Sequence, residues 1–133
     1  MFFDTTFCID LIREQARNAP GPATAKLRSL QETPVLVSVF ALCELHAGAR
    51  LSANPKRELR RVEHLVQQVR IVYPDSAFPV AYGEAESALR RQRTQIPVMD
   101  LLIGVLARLH GLPLLTRDDT RFSRIPGLVV ETY

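Results

Sequence analysis

The stretch of sequence that decides the fold is VMDLLIGVLARLHGLPLLTRD, residues 98–118. Its first part predicts a helix from about Val98 to His110, ended by Gly111, because glycine commonly terminates helices. Its second part predicts a strand, Leu112–Thr116, followed by an arginine and an aspartate. A strand that is apolar on both sides is typical of a sheet covered by helices on both faces. The stretch therefore indicates an α/β protein with a parallel sheet.

The same alternation extends towards the start of the chain. Asn54-Pro55 is a strong helix start, with an N-cap asparagine followed by proline in the first turn. The remaining predicted elements are strands at residues 1–4, 35–39, 71–73 and 128–130, and helices at residues 7–14, 23–31, 41–50 and 55–70 and after Asp75-Ser76. No repeat, linker or low-complexity tract interrupts them, so we expect a single domain over residues 1–133.

The composition is that of a globular protein. Apolar residues make up 47% and charged residues 23% of the 133 residues, and no apolar run is long enough to span a bilayer. The N-terminus has no basic region before its apolar residues, so we expect no signal peptide and a cytoplasmic location. Cys8 and Cys43 are too few for a disulfide framework or a zinc cluster. The net charge of +3, carried almost entirely by arginine, agrees with an anionic partner.

Four acidic residues interrupt otherwise apolar stretches. Asp4 ends the first predicted strand, and Asp118 follows the strand that ends at Thr116. Glu44 and Asp100 are expected in the first turns of the helices that they belong to. Ligands of open parallel sheets bind outside the carboxyl ends of the strands. These acids therefore stand where a ligand site is expected.

Acids brought together in this way need a cation. Two unit charges about 4 Å apart repel each other by roughly 4 kcal/mol at an effective dielectric constant of 20. Clustered carboxylates therefore either take up protons or hold a metal, and an oxygen-only site favours Mg²⁺ or Mn²⁺ over zinc. Purely structural interpretations remain open: Asp100 as an acid that stabilises a helix N-terminus, Glu44 as a surface residue, and Asp119 as a turn residue.

The chain resembles the PIN-domain nucleases, and within them the VapC-type toxins of bacterial toxin–antitoxin pairs. The segments that carry the resemblance are Asp4-Thr5-Thr6, SVFALCELHAGA at 38–49, PVMDLLIG at 97–104, HGLPLLTRD at 110–118 and FSRIPGL at 122–128. The resemblance implies a three-layer α/β/α sandwich around a parallel sheet. It also implies an endoribonuclease that uses Mg²⁺ or Mn²⁺ and is inhibited by a small VapB-type antitoxin.

Carried over by position, the resemblance implies a catalytic set of Asp4, Glu44, Asp100 and Asp118, of which all but Glu44 hold the metal. Thr116 matches a hydroxyl that supports the site. Thr6 and Arg121 depart from the family pattern, because asparagine or serine is frequent at the first position and an acid is common at the second. The fourth carboxylate is therefore either Asp118 or Asp119.

Arginines are expected to hold the RNA backbone. The candidates are Arg117, Arg121, Arg90, Arg91 and Arg93. The predicted helix from Pro55 to about Arg70 has an apolar stripe that either forms a homodimer interface or packs into the core.

Two other functions are consistent with such a sequence. One is a catalytically silent RNA-binding module on the same fold. The other is a different phosphate-handling α/β enzyme. An aspartyl phosphatase would need an acid at Thr6, and a receiver domain would need a lysine after a late strand, whereas no lysine follows Lys56.

Overall fold

The computed structural model describes all 133 residues, Met1–Tyr133. The strands are β1 (Phe2–Phe3), β2 (Leu36–Ser38), β3 (Arg70–Val72), β4 (Leu114–Thr116) and β5 (Val130–Thr132). The helices are α1 (Thr5–Ala16), α2 (Pro22–Ser29), α3 (Val39–Arg50), α4 (Pro55–Val66), α5 (Phe78–Arg91) and α6 (Val98–Leu109), and a short 3₁₀ helix lies at Phe122–Arg124.

The five strands form one parallel sheet in the order β3-β2-β1-β4-β5. The short strand β1 is central, where Phe2 pairs with Leu36 of β2 on one side and with Leu114 of β4 on the other. Because all strands run the same way, their carboxyl ends lie at one edge, and the residues after β1 and β4 are neighbours there. The sheet confirms the predicted α/β class.

Helices cover both faces of the sheet and enclose one apolar core. Helix α1 packs against α2, α3 and α4, and α5 packs against α6. Phe2 and Phe3 of the central strand are fully buried, which is what the apolar strand pattern predicts. The three-layer α/β/α arrangement is confirmed.

Several predicted boundaries were wrong. Helix α4 ends at Val66 rather than near Arg70, because Arg70–Val72 pairs with β2 as strand β3. The longest helix is α5, with 14 residues. The last strand begins at Val130 rather than Leu128, because Gly127, with φ of 79°, turns the chain just before it.

The apolar stripe of α4 lies inside the molecule. Val62 and Leu65 are buried, and Leu59, Val66 and Val69 pack against the same core. The core interpretation of this stripe is therefore the one that the structure supports, and dimerisation stays a prediction. No helix is both long and apolar enough to cross a membrane.

Candidate active site at the carboxyl edge of the sheet

Asp4 is the most buried acid of the chain, with only 2% of its surface exposed. It follows β1 directly and caps the N-terminus of α1, where its Oδ1 accepts a hydrogen bond from the Phe7 backbone N–H at 2.8 Å. Aspartate is a preferred N-cap residue, which explains why the helix starts immediately after it. The Thr6 hydroxyl lies 2.7 and 2.9 Å from the two carboxylate oxygens and donates to them.

The charge of Asp4 is not neutralised by any arginine or lysine, since none of the salt bridges of the structure includes it. Burial raises the pKa of Asp4 above its ordinary value, and the negative charge of Asp100 raises it further. Hydrogen bonds from Thr116, Phe7 and Thr6 oppose these effects. Asp4 and Asp100 therefore lie close enough to repel each other, as expected of two residues of one acidic site.

Asp100 lies in the first turn of α6, as predicted, where the helix dipole favours a negative charge. Its Oδ2 is 3.0 Å from Nη1 of Arg121, which the sequence had assigned to RNA binding. The Asp100 side chain is 19% exposed and that of Arg121 is 59% exposed. Position 121, where the family pattern has an acid, therefore holds an arginine that pairs with Asp100 of the site.

Glu44 is in the second turn of α3, not in the first. The helix begins at Val39, because Ser38 caps it by accepting a hydrogen bond from the Ala41 N–H at 2.9 Å. Glu44 Oε1 accepts a hydrogen bond of 2.6 Å from the Thr5 hydroxyl, and Thr5 is the residue next to Asp4. Glu44 is therefore held at the margin of the site through a residue that sequence reasoning did not single out.

Thr116 shapes the turn that follows β4. Its buried hydroxyl lies 3.2 Å from the carbonyl of Asp118 and accepts from the Asp118 N–H at 3.3 Å, and its proton serves the Asp4 carboxylate. The Asp118 carboxylate is exposed and accepts the Thr120 N–H at 3.0 Å, which lowers the pKa of Asp118. Asp119 is exposed, and its backbone carbonyl accepts from the Ser123 N–H at 2.9 Å. Of the two late acids, only Asp118 has a side chain that the turn holds in place.

The other predicted RNA-contacting arginines have varied surroundings. Arg117 is 3.1 Å from Asp10, whose carboxylate also accepts a 2.7 Å hydrogen bond from the Tyr133 hydroxyl. Arg90 is paired with Glu86 at 2.7 Å. The exposed Arg91 and Arg93 lie at the end of α5 and in the segment that leads to α6. Asp10 and Tyr133 were missed, because neither stands next to a recognisable motif.

The site offers the carboxylate oxygens that a divalent ion prefers, but few of them lie close together. No group of three or more histidine, cysteine or acidic side chains is close enough to hold a metal by itself. The Asp118 carboxylate accepts the Thr120 N–H in the exposed turn, so its part in a metal site stays a prediction. Mg²⁺, however, is commonly bound by one or two carboxylates, with water and substrate phosphates completing its shell. Asp4 and Asp100 meet that requirement.

The fold and the site together define a class: a three-layer α/β/α protein with a buried aspartate and further acids at the carboxyl edge of its parallel sheet. The model of the PIN domain family matches residues 1–128. The chain therefore belongs to the PIN domain family.

Individual relatives agree with this assignment. The chain is 30% identical to the tRNA(fMet)-specific endonuclease VapC of Shigella flexneri over 131 residues, which covers 98% of this chain and 95% of the relative. A DNA-bound VapBC structure from Salmonella typhimurium matches with a TM-score of 0.87 and 27% identity, covering 98% of this chain and 96% of the other. VapBC2 from Rickettsia felis, bound to a promoter DNA fragment, matches in fold with a TM-score of 0.91 at 23% identity, covering 99% and 97%.

Proposed function

We propose that this protein is a Mg²⁺- or Mn²⁺-dependent endoribonuclease and the toxin of a toxin–antitoxin pair. The observation that carries the proposal is Asp4, a buried carboxylate with no cationic side chain to neutralise it and with Asp100 close by. Such a pair favours either a proton or a divalent ion. Membership of the PIN domain family and the similarity to proteins named as VapC endonucleases support the choice of a nuclease.

Each acid has a distinct part in this proposal. Asp4 and Asp100 hold the ion, and Asp118 contributes from the exposed turn after β4. Glu44 orients water at the margin of the pocket, next to the Thr5 hydroxyl that fixes its carboxylate. A bound divalent ion lowers the pKa of water and neutralises charge that develops on a phosphate. The hydroxyls of Thr6 and Thr116 restrict the Asp4 carboxylate and the turn after β4, so that both are preorganised.

The first substrate to test is tRNA(fMet), because the Shigella flexneri relative is named as specific for it. Arg117, Arg91 and Arg93 are exposed near the strand ends or the start of α6 and are suited to phosphate contacts. Arg121 becomes available for such a contact whenever Asp100 binds another cation in its place.

Cleavage of a tRNA(fMet) transcript tests the proposal directly. We expect cleavage with Mg²⁺ or Mn²⁺ and none in excess EDTA. Asp4→Asn keeps an N-cap residue but removes the charge, and we expect its activity to be lost. Asp75→Asn is the matched control, because Asp75 also accepts a backbone N–H, from Ala77 at 2.9 Å, on an exposed loop.

The opposite results have clear meanings. Full activity in EDTA, or wild-type activity of Asp4→Asn, would refute the metal mechanism. Tight RNA binding without cleavage under any metal condition would favour the catalytically silent RNA-binding module instead.

We also propose a VapB-type antitoxin as partner, because solved relatives are VapBC complexes. A groove of about 260 Å³ has apolar lining that includes Ile9, Ile12, Leu45 and Val62, and its charged lining residues are Glu44, Glu58 and Arg13. Such a groove suits an apolar segment that ends in a basic side chain. The pairing of Arg121 with Asp100 at 3.0 Å supports the idea that the site acids accept a guanidinium.

Competition with metal tests how the antitoxin acts. Calorimetry should give a weaker antitoxin affinity in excess Mn²⁺ than in EDTA. An antitoxin that blocks cleavage but binds equally well in both conditions would act by covering the RNA path, and insertion into the pocket would be wrong.

A further inference from the structure

Helices α1 and α4 pack side by side and present a cluster of arginines, which we name the α1–α4 arginine surface: Arg13, Arg17, Arg57, Arg60 and Arg61. Four of them line one groove of about 440 Å³, and Arg57, Arg60 and Arg61 line the adjoining groove with His64. The one acid that lines either groove is Glu58. None of these arginines was among the residues expected to contact RNA.

The positive charge of this surface is largely uncompensated within the protein. Glu58 is shared between Arg61 at 2.7 Å and Arg57 at 3.4 Å. No hydrogen bond or ion pair in the structure involves the side chains of Arg13, Arg17 and Arg60, which are exposed residues. Crowded like charges destabilise a folded protein unless a polyanion binds them. The surface therefore has the electrostatic character of a phosphate-binding site.

The arginine surface extends through two further grooves towards the acidic site. Arg13 and Arg17 also line a groove of about 450 Å³ with Arg117, the residue just before Asp118. Arg13 in addition lines the groove that contains Glu44. The two grooves therefore lead from the arginines towards Asp118 and Glu44.

The acids of the connecting groove, Glu14 and Asp10, form no ion pair with Arg13 or Arg17. Glu14 is held by backbone N–H groups of Gly21, Ala23 and Thr24 at 2.7 to 3.0 Å. Asp10 is paired with Arg117 and accepts the Tyr133 hydroxyl. Both carboxylates are occupied by partners in the chain, so Arg13 and Arg17 remain free to bind an external anion.

We propose that the α1–α4 arginine surface binds the sugar-phosphate backbone of the RNA substrate at a distance from the cleaved bond. This inference rests on the proposed ribonuclease function. Arg17 follows α1, whose first residue adjoins Asp4, so the contact lies roughly 20 Å along the helix axis from that acid. The substrate is held at two places, at the acids where the chain is cut and on α1 and α4 where only its backbone is bound.

An RNA partner fits this surface better than an acidic protein does. Protein interfaces have an apolar, often aromatic centre. The two arginine grooves offer only Ile12 and Ala16 as apolar lining residues, and Ile12 is buried. Guanidinium groups without such a centre are typical of phosphate contacts, which fix position without reading sequence.

The salt dependence of RNA binding tests the inference. The test variant combines Arg13→Gln, Arg17→Gln and Arg60→Gln, none of which removes a bond within the protein. The control variant combines Arg28→Gln, Arg50→Gln and Arg70→Gln, which removes the same charge from exposed positions on other elements. Binding of labelled tRNA(fMet) is followed by fluorescence anisotropy in EDTA between about 50 and 200 mM KCl.

Each lost phosphate contact lowers the slope of log affinity against log salt by about 0.7 to 0.9, so the test variant should lose about 2 to 3 from the slope. We expect the control to keep the slope of the unmodified protein.

In cleavage with metal, the test variant should show a higher KM for the whole tRNA and an unchanged kcat. An oligonucleotide too short to reach Arg17 should be cleaved equally by both variants.

Equal slopes for the test and control variants would overturn the inference. Wild-type RNA binding together with weakened antitoxin binding would assign the surface to an acidic protein segment, and the inference would also be wrong. Because binding is measured in EDTA, a protein that binds through these arginines but cuts no RNA would refute the proposed function and leave the arginine surface supported.

Discussion

Replacing Gly104 with alanine should destabilise the protein at the contact between α6 and the 3₁₀ helix. Gly104 is buried, and an added Cβ would overlap Cδ1 of Ile125 and lie 3.3 Å from Leu128 and Phe122 side-chain carbons. Ile125 is only 1% exposed, so its side chain has little space to move away. Overpacking of this kind costs about 1–3 kcal/mol.

The magnitude follows from comparison with a second glycine in a helix. Alanine is favoured over glycine inside a helix by about 1 kcal/mol, which offsets part of the steric cost at position 104. Gly83 of α5 is exposed, and an added Cβ there meets no atom within 4 Å. Gly83→Ala should therefore stabilise the protein by up to about 1 kcal/mol. The difference between the two variants, about 1–3 kcal/mol, isolates the steric contribution.

Urea denaturation of both variants measures this difference. Since the 3₁₀ helix follows the turn that carries Asp118 and Arg121, Gly104→Ala should also cleave RNA more slowly than Gly83→Ala. Equal free energies of unfolding for the two variants would refute the reasoning, because they would mean that the space beside Gly104 accepts a methyl group without strain.

Three further predictions concern the acids. Arg121→Gln should raise Mn²⁺ affinity in calorimetry by up to about fivefold, because it frees Asp100 from an exposed ion pair worth about 0.2–1 kcal/mol. Burial raises the pKa of Asp4, so the folded state binds a proton more tightly than the unfolded state does, and metal-free stability should fall as pH rises through the folded-state pKa. Asp4→Asn should remove that fall and melt higher than the unmodified protein near pH 7 in EDTA. Asp118→Asn should lose far more cleavage activity than Asp119→Asn, because only the Asp118 carboxylate is held by the turn.

Each of these predictions has a result that would contradict it. Unchanged or weaker Mn²⁺ binding by Arg121→Gln would mean that the arginine does not compete with metal. A melting temperature that depends on pH equally in Asp4→Asn and the unmodified protein would assign the dependence to another group. Greater loss in Asp119→Asn would move the fourth acid to Asp119.

The fold was predictable because its signals are local. The cap residue Asn54, and Gly111 with φ of 63°, stand at helix ends and are visible in the sequence. The all-apolar strands indicate a covered parallel sheet without knowledge of their partners. The order of the strands depends on pairings between distant segments, such as Phe2 with Leu114, and has no comparable local signal.

The site was only partly predictable. The position of Asp4 follows from the end of a strand, which the sequence shows. The pairing of Arg121 with Asp100 and the sharing of Asp10 between Arg117 and Tyr133 depend on tertiary contacts of side chains. Glu44 was placed one turn too early, because a valine that reads as the end of a strand begins the helix.

The central position of β1 has a consequence for folding during synthesis of the chain. Phe2 and Phe3 leave the ribosome long before β4, one of their two partner strands, is synthesised. Asp4 and the turn with Asp118 are brought to one edge only when β4 pairs with β1. We therefore expect a nascent chain that ends before Leu114 to lack nuclease activity, so that the synthesis of β4 determines when activity can first appear.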